Sequence, residues 1–325
     1  MSGPQYSVLM PAYNHEAFVA EAIESVLSAP VDDLELLVID DGSNDGTADE
    51  LQRFAADPRC RVSRQSNTGA HATLNRLLDQ ARGRFIFILD SDDVFEPDRI
   101  VRLAEALEAH EHAMLAASWI TIVNDSGAEL GVKKAWSNMP PWAPPGPTPH
   151  LSDLADPALA LLEANWVATT SNFAFRRGLV TDHGLRFADL RYTHDWDFLL
   201  TAAAIGGIVL VEEPLLRYRV HCQNTIREGN KDPAADALMR LEILWTLGRH
   251  TGAIVERAVR QGFDRLDLEQ RIARSQPRFG GESLSIQLRA LRGSSPGVPP
   301  AYNEVLTPRH PWRDAAIDVL MSREG

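Results

Sequence analysis

Three carboxylates fall within four residues, Asp90-Ser91-Asp92-Asp93, directly behind the apolar run Phe85-Ile86-Phe87-Ile88-Leu89. Carboxylates this close repel one another unless something positive sits between them. A hard divalent cation suits oxygen ligands of this kind and commonly holds substrate phosphates as well. An acidic turn by itself serves equally well as a helix cap with a solvated acid. Here two further polar turns, Asp40-Asp41-Gly42-Ser43 and Pro11-Ala12-Tyr13-Asn14, also follow apolar runs. Agreement among three separate segments favours a shared site. Neither GxGxxG nor GxxxxGK[ST] occurs in the chain, which disfavours a nicotinamide enzyme and a P-loop enzyme.

The elements that must position these turns follow from periodicity. Residues 7–10 form a short strand ended by Pro11. Residues 16–28 carry Val19, Ala22, Ile23, Val26 and Leu27 at helical spacing, closed by Pro30. Residues 34–39 are nearly all apolar, as in a parallel strand covered on both faces. Thr47-Ala48-Asp49-Glu50 reads as a capping box, with Leu51, Phe54 and Ala55 continuing its helix. A weak third strand is expected at 61–63, a helix at 70–81, a strong strand at 85–89 and a helix at 97–109. Strands at 113–123, 169–175, 208–211 and 215–220, and helices at 159–164 and 195–204, complete the pattern. Strands alternating with helices mean a mostly parallel sheet flanked by helices. In such sheets ligands bind beyond the carboxyl ends of the strands, where all three polar turns fall. Residues 136–150 hold six prolines and two tryptophans, which suits either a rigid surface excursion or a lip over an acceptor. Amphipathic helices are expected at 235–247, 252–261 and 266–275. The organisation we expect is an α/β catalytic domain over residues 1–230 and an accessory, mostly helical region over 231–325.

Bulk properties narrow the class. The chain has 325 residues, 44% hydrophobic and 24% charged, with a formal net charge of −13. Such a surface repels nucleic-acid backbone and anionic lipid over most of its area. The two cysteines, Cys60 and Cys222, form no CxxC pair and suit reduced thiols. No basic stretch precedes the first apolar run, and no apolar window is long enough to span a bilayer. The expectation is a cytoplasmic protein, with room for peripheral contact at the inner face of the membrane.

The chain resembles the family-2 glycosyltransferases of the GT-A fold, a Rossmann-like architecture, over roughly residues 6–225. The match lies in Val8-Leu9-Met10-Pro11-Ala12-Tyr13-Asn14, in residues 35–47 (ELLVIDDGSNDGT), in Asn67-Thr68-Gly69 with Asn75, and in Ala81-Arg82-Gly83 leading to the acidic turn. The resemblance implies that Pro11, Tyr13 and Asn14 line the base and ribose of a nucleotide-diphosphate sugar. It implies that Asp41, or Asp40 in its place, reads the base edge, and that Asn75, Asp90 and Ser91 border the donor. Asp92 would ligate Mn2+ or Mg2+, with Asp93 behind it or capping the turn. His194-Asp195-Trp196-Asp197 resembles the segment that carries the family's catalytic base. The usual Glu is His194 here, but the carboxylate of Asp195 remains. It begins a predicted helix, whose N-terminus would favour the ionised form. Tyr218-Arg219-Val220-His221 resembles a late motif in which the histidine completes the metal or diphosphate site, with Arg219 near the diphosphate. Thr170, Ser171 and Asn172 would border the acceptor, with Trp166 and His194 as further contacts. Trp166, like Trp136 and Trp142, is equally suited to packing. Many relatives have Arg where this chain has Leu74, so that phosphate contact would fall to the metal, Arg219 or Arg76. The expected reaction is metal-assisted single displacement. It moves a sugar, with UDP the favoured nucleotide, to a hydroxyl of a glycan, glycolipid or protein-linked acceptor, with inversion. The alternatives are a metal-dependent nucleotidyltransferase and an inactive nucleotide-sugar binding protein.

Overall fold

The computed structural model describes residues 3–137, 139–141, 154, 156–222, 224 and 233–275. Most of the proline-rich stretch, including Trp142, and the chain beyond 275 lie outside the described residues. The described residues divide into two compact units. One takes those up to 141 together with 166–187 and 205–221. The other takes those between 154 and 165, 188–204, and those from 222 onward.

The first unit is built on a sheet. Its strands are β1 (Tyr6–Ala12), β2 (Leu34–Asp40), β3 (Cys60–Arg64), β4 (Phe85–Ile88), β5 (Val94–Phe95), β6 (Ala113–Asn124), β7 (Glu129–Lys133), β8 (Phe173–Arg176) and β9 (Gly207–Val220). They run in the order β3-β2-β1-β4-β8-β6-β9-β5, with β7 paired to β6. β3, β2, β1 and β4 are mutually parallel, with Val8 opposite Leu36 and Phe87. β8 then enters antiparallel between β4 and β6, so the second half of the sheet is mixed. The helices of this unit are α1 (Val19–Leu27), α2 (Thr47–Gln52), α3 (Ala70–Gln80), α4 (Arg99–Ala109) and the short α6 (Gly178–Thr181).

Burial on both faces explains why β2 and β4 read as unbroken apolar runs. Val8, Met10, Leu36 and Phe87 join the apolar faces of α1 and α4 in one buried cluster. Successive strand residues point to opposite faces, which leaves Leu9 and Leu37 for the face on which α3 packs. At Gly83 the chain passes so close to β1 that a Cβ would lie 2.5 Å from the Ser7 amide nitrogen. The two cysteines are free thiols, and burial pushes the Cys60 thiol up to about 11.

The second unit holds α5 (Pro157–Glu163), most of α7 (His194–Ile205), α8 (Pro233–Arg260) and α9 (Arg265–Ser275). α5, α8 and α9 pack together. Asp156 caps α5 by accepting from the Ala158 amide at 2.8 Å.

Three local expectations are corrected, and two short strands have no counterpart among the expected elements. Thr47 is the first residue of α2 rather than its N-cap, and it is fully buried. The N-cap position falls on Gly46, and Asp45 before it accepts from both the Thr47 amide (3.0 Å) and the Thr47 hydroxyl (2.6 Å). The two strands expected at 208–211 and 215–220 are one strand, β9, whose register against β6 shifts near Ser118 and Trp119. The two helices expected at 235–247 and 252–261 are one, α8. Gly248 and Gly252 weaken a helix by about 1 kcal/mol each, but Leu247, Ile254 and Val255 are fully buried around them. Finally, β5 and β7 carry too little apolar alternation to be seen and exist through pairing with β9 and β6.

Candidate active site

β1 has β2 on one side and β4 on the other, so the crevice beyond its carboxyl end is the switch point of the parallel half. Three turns meet there. After β1, Asn14 adopts a left-handed backbone (φ 53°), which asparagine tolerates better than most residues. Its amide donates to Ser43 Oγ at 3.0 Å, and its Oδ1 accepts from the Asn44 amide at 2.9 Å. Tyr13 beside it is exposed. After β2, Asp40 accepts from the Ser43 amide at 2.9 Å and pairs with Arg64. Asp41 is buried and gathers the next segment. Its Oδ1 accepts from Gln65 Nε2 and the Thr68 amide, and its Oδ2 from the Gly69 amide. Gly42 has φ 81°, and a Cβ there would meet the Asn67 amide nitrogen at 2.9 Å. The turn therefore has no room for a side chain at this position.

The acidic turn follows β4. The Asp90 amide donates to Ser171 Oγ at 2.9 Å, which ties the turn to the segment before β8. Asp92 Oδ2 lies 2.8 Å from His221 Nε2 and 3.8 Å from His15 Nε2. The two imidazoles cross edge to face with centroids 5.6 Å apart. Burial raises the Asp92 carboxyl, but the His221 hydrogen bond and the two imidazoles outweigh it, so the group is held below the usual carboxylate range. Asp93 goes the other way: burial, then the charges of Asp92 and Asp90, push it well above that range. Burial also lowers His15, which favours the neutral imidazole that a metal needs. One ligand atom from each of His15, Asp92 and His221 lies within 4.8 Å of the others. Two imidazole nitrogens and a carboxylate oxygen at this spacing fit a divalent cation.

Buried cations brace the acids. Arg99, fully buried, donates to Ser118 Oγ (2.9 Å) and to the Ser171 carbonyl (2.7 Å). Burial lowers it to about 9, with Asp93 pulling the other way. The Arg219 guanidinium donates to the Asp92 carbonyl at 3.0 Å and pairs with Glu21 at 2.7 Å. Its amide donates to Asp93 Oδ1. Arg219 therefore grips the backbone and side chains of the acidic turn.

Other residues singled out in the sequence have surroundings of their own. Asn75 uses both ends of its amide on the backbone of Phe187. Asn172 is buried and satisfied by Ser118 and the Val167 carbonyl. Thr170 and Ser171 are buried in the short 3-10 turn before β8. Trp166 is 1% exposed and meets the half-exposed Trp136 edge-on at 6.0 Å. Arg76 donates to Gln65 Oε1 at 2.8 Å.

Asp195 lies in the second unit, in the first turn of α7 next to His194. It is buried, its Oδ2 accepting from Asn165 Nδ2 and its Oδ1 from the Trp196 amide, both at 2.7 Å. The turn around it is fastened by α8. Glu242 accepts from the Arg191 (2.9 Å), Tyr192 (2.7 Å) and Thr193 (3.2 Å) amides. His250 Nε2 meets Asp197 Oδ1 at 2.7 Å. Burial pushes the Glu242 carboxyl up against the pull of these N–H donors.

Sequence reasoning missed His15, Arg99, Asn165 and Glu242. His15 had a readable signal, a histidine directly after Tyr13-Asn14. The others gain meaning only from partners far along the chain.

Residues 7–183 match the family Glycosyl transferase family 2, and the chain belongs to that family. It is 27% identical over 236 residues to the Putative glycosyltransferase EpsH of Bacillus subtilis (strain 168), covering 71% of this chain and 65% of that protein. It is 32% identical over 235 residues to the Succinoglycan biosynthesis protein ExoO of Rhizobium meliloti (strain 1021), covering 70% of this chain and 62% of that one. The chain thus spans slightly less than two thirds of each of these two relatives. Among solved structures it is similar to S. aureus TarS 1-349 in complex with UDP-GlcNAc, with TM-score 0.63, 19% identity, and 98% of this chain and 90% of that chain covered. It is also similar to the Mannosyltransferase PcManGT from Pyrobaculum calidifontis in complex with GDP-Man and Mn2+, with TM-score 0.54, 16% identity, and 99% and 87% covered. These structural likenesses establish the shared fold.

Proposed function

We propose that the chain is an inverting glycosyltransferase that takes a sugar from a nucleoside diphosphate, UDP first among those to test, and passes it to a hydroxyl of a glycan or glycolipid. The observation that carries this is the convergence of Asp92, His221 and His15 at the switch point of a family-2 sheet. The named relative in succinoglycan biosynthesis supports a polysaccharide acceptor. Among the described residues no helix is long and apolar enough to cross a membrane, and action in the cytoplasm, in peripheral contact with the inner membrane face, is part of the proposal.

A divalent cation held by Asp92 and His221 would offset the charge that develops on the leaving diphosphate. Tyr13 and Asn14 would border the nucleotide, with Asp41 shaping the turn that meets its base. Asp195 would take the proton from the acceptor hydroxyl as that oxygen attacks the anomeric carbon. Asn165 holds one oxygen of Asp195 and so fixes the direction of the carboxylate. Attack opposite the leaving group inverts the configuration, and no covalent nucleophile is required.

The test is a panel of UDP-, GDP- and dTDP-sugars, each with Mn2+ and with EDTA, read as thermal stabilisation and as product. Free nucleoside diphosphate and an inverted glycoside are expected. Release of pyrophosphate would point to a nucleotidyltransferase, and binding without turnover to an inactive binding protein. Asp195→Asn should lower transfer by about 10²–10⁴ and leave donor affinity within a few-fold. A rate within threefold of wild type would remove Asp195 from the role of base.

A further inference from the structure

His15 stands in the turn after β1, outside every motif that pointed to the metal. Its Nε2 is 3.8 Å from the same Asp92 oxygen that His221 meets at 2.8 Å. Its other ring nitrogen, Nδ1, is 2.8 Å from Ser91 Oγ, the hydroxyl in the middle of the acidic turn. When Nδ1 donates to that hydroxyl, Nε2 is left with a bare lone pair. Metal-bound histidines are oriented in this way, by a hydrogen bond to the nitrogen that does not bind. The backbone holds the residue in place too, because the His15 amide donates to the buried hydroxyl of Thr47 at 2.8 Å.

We propose that His15 is a third protein ligand, so that two imidazole nitrogens and one carboxylate face the cation and select Mn2+ over Mg2+. The proposal rests on the reading of this site as the one that holds the donor diphosphate. Mg2+ binds oxygen and keeps its waters. Imidazole suits transition metals, and a set with two nitrogens gives up the oxygens that Mg2+ needs. An Asp92–His221 pair alone would carry one nitrogen and discriminate less. Ser91 then acts through His15, setting its tautomer and ring direction, instead of touching the cation.

The test uses the full chain with Mn2+ or Mg2+ alone, and with each metal plus UDP, for wild type, His15→Ala, His15→Gln and His221→Ala. Affinity is measured by calorimetry, and pulsed EPR of bound Mn2+ counts nitrogen ligands. Circular dichroism checks that each variant folds. Wild type should bind Mn2+ at least tenfold more tightly than Mg2+ and show two nitrogen couplings. Loss even of a residue that only orients a ligand costs about 10–100-fold in metal affinity. His15→Ala should lose at least that for Mn2+, much less for Mg2+, and keep one nitrogen. His15→Gln, which offers an amide oxygen instead, should narrow the preference for Mn2+ while it retains binding. One nitrogen in wild type, or Mn2+ affinity in His15→Ala within threefold of wild type, would overturn the assignment and leave the Asp92–His221 site standing. If wild type bound no Mn2+ with or without UDP, the metal site as a whole would fall, and the EDTA arm of the donor panel would show that independently.

Discussion

Replacing Glu242 by Gln is the sharpest way to ask what α8 does for the turn that carries Asp195. Glu242 Oε1 accepts from the Arg191 amide, and Oε2 from the Tyr192 and Thr193 amides. Gln keeps one acceptor oxygen. Placed at the Oε2 position, that oxygen retains two of the bonds and sets an NH2 group against the remaining N–H at a 2.9 Å site. Two donors cannot share a hydrogen bond, so the Arg191 N–H, at a part-buried position, loses its protein partner. A fully buried donor without a partner costs about 1–3 kcal/mol, and a part-buried one lies toward the lower end of that range. Since about 1.4 kcal/mol is a factor of ten, amide exchange over residues 191–193 should accelerate roughly 5- to 150-fold, nearer the lower figure. Ala removes all three bonds and should accelerate it further. Deuterium exchange read by mass spectrometry on peptides spanning 188–198 measures this directly, with the peptide over β1 as an internal control. With Asp195 as the base, transfer by Glu242→Gln should show a lower kcat at an unchanged donor KM. Exchange within twofold of wild type in both variants would refute the argument that Glu242 fastens this turn. Faster exchange with an unchanged kcat would separate the clamp from catalysis.

Nucleotide affinity measured by calorimetry should depend on Mn2+ in wild type and lose that dependence in Asp92→Asn, whereas His194→Ala should retain it; equal values across all of these would count against Asp92 as a ligand. Lys133 is 1% exposed, donates to the carbonyls of Ala135 and Trp166, and is lowered by burial to about 7. An unfolded lysine titrates near ~10.4. Between these values the unfolded chain carries a proton that the folded chain lacks, so this group's contribution to stability is lowest below pH 7 and rises with pH. Relative to Lys133→Met, wild type should gain on the order of 2–3 kcal/mol between pH 7 and pH 9, at ~1.4 kcal/mol per unit; urea midpoints that move in parallel would contradict this. Gly83→Ala would place a Cβ 2.6 Å from Ser7 Oγ and 2.7 Å from the Tyr6 carbonyl carbon. It should destabilise the sheet by about 1–3 kcal/mol or more, seen as a lower urea midpoint at unchanged slope.

Local pattern determined more of this molecule than its boundaries suggest. The apolar runs at β1, β2 and β4 and the helical spacing in α1, α3 and α4 are properties of short windows. Each needs only a face to bury, and alternation of strand and helix then requires the parallel half of the sheet. The three polar turns were legible for the same reason, since they are the positions where those windows stop. Competition between neighbours was not legible. Thr47 has the right spacing for a cap, but the helix starts one residue after Gly46, and the Thr47 hydroxyl instead donates to Asp45 and accepts from the His15 amide. The long α8 and the unbroken β9 depended on burial against distant partners, which overrode the breaks that Gly248 and Pro214 imply locally.

The candidate site shows the same division. Asp92 and His221 stand out by type and by resemblance, and the nearness of Asp92, His221 and His15 is decided by the pairing order of β1, β4 and β9. His15 is 77 positions from Asp92 in the chain. No local periodicity links them. Only the fold brings their ligand atoms within 4.8 Å. The protonation balance is likewise a tertiary property. Asp92 and Asp93 are adjacent and chemically identical, yet one is held below the usual carboxylate range and the other well above it. Two histidines face the first carboxylate, while the second is enclosed with other acids. A sequence records which groups are present, but the sign of a shift depends on what burial and distant chain segments place around each one.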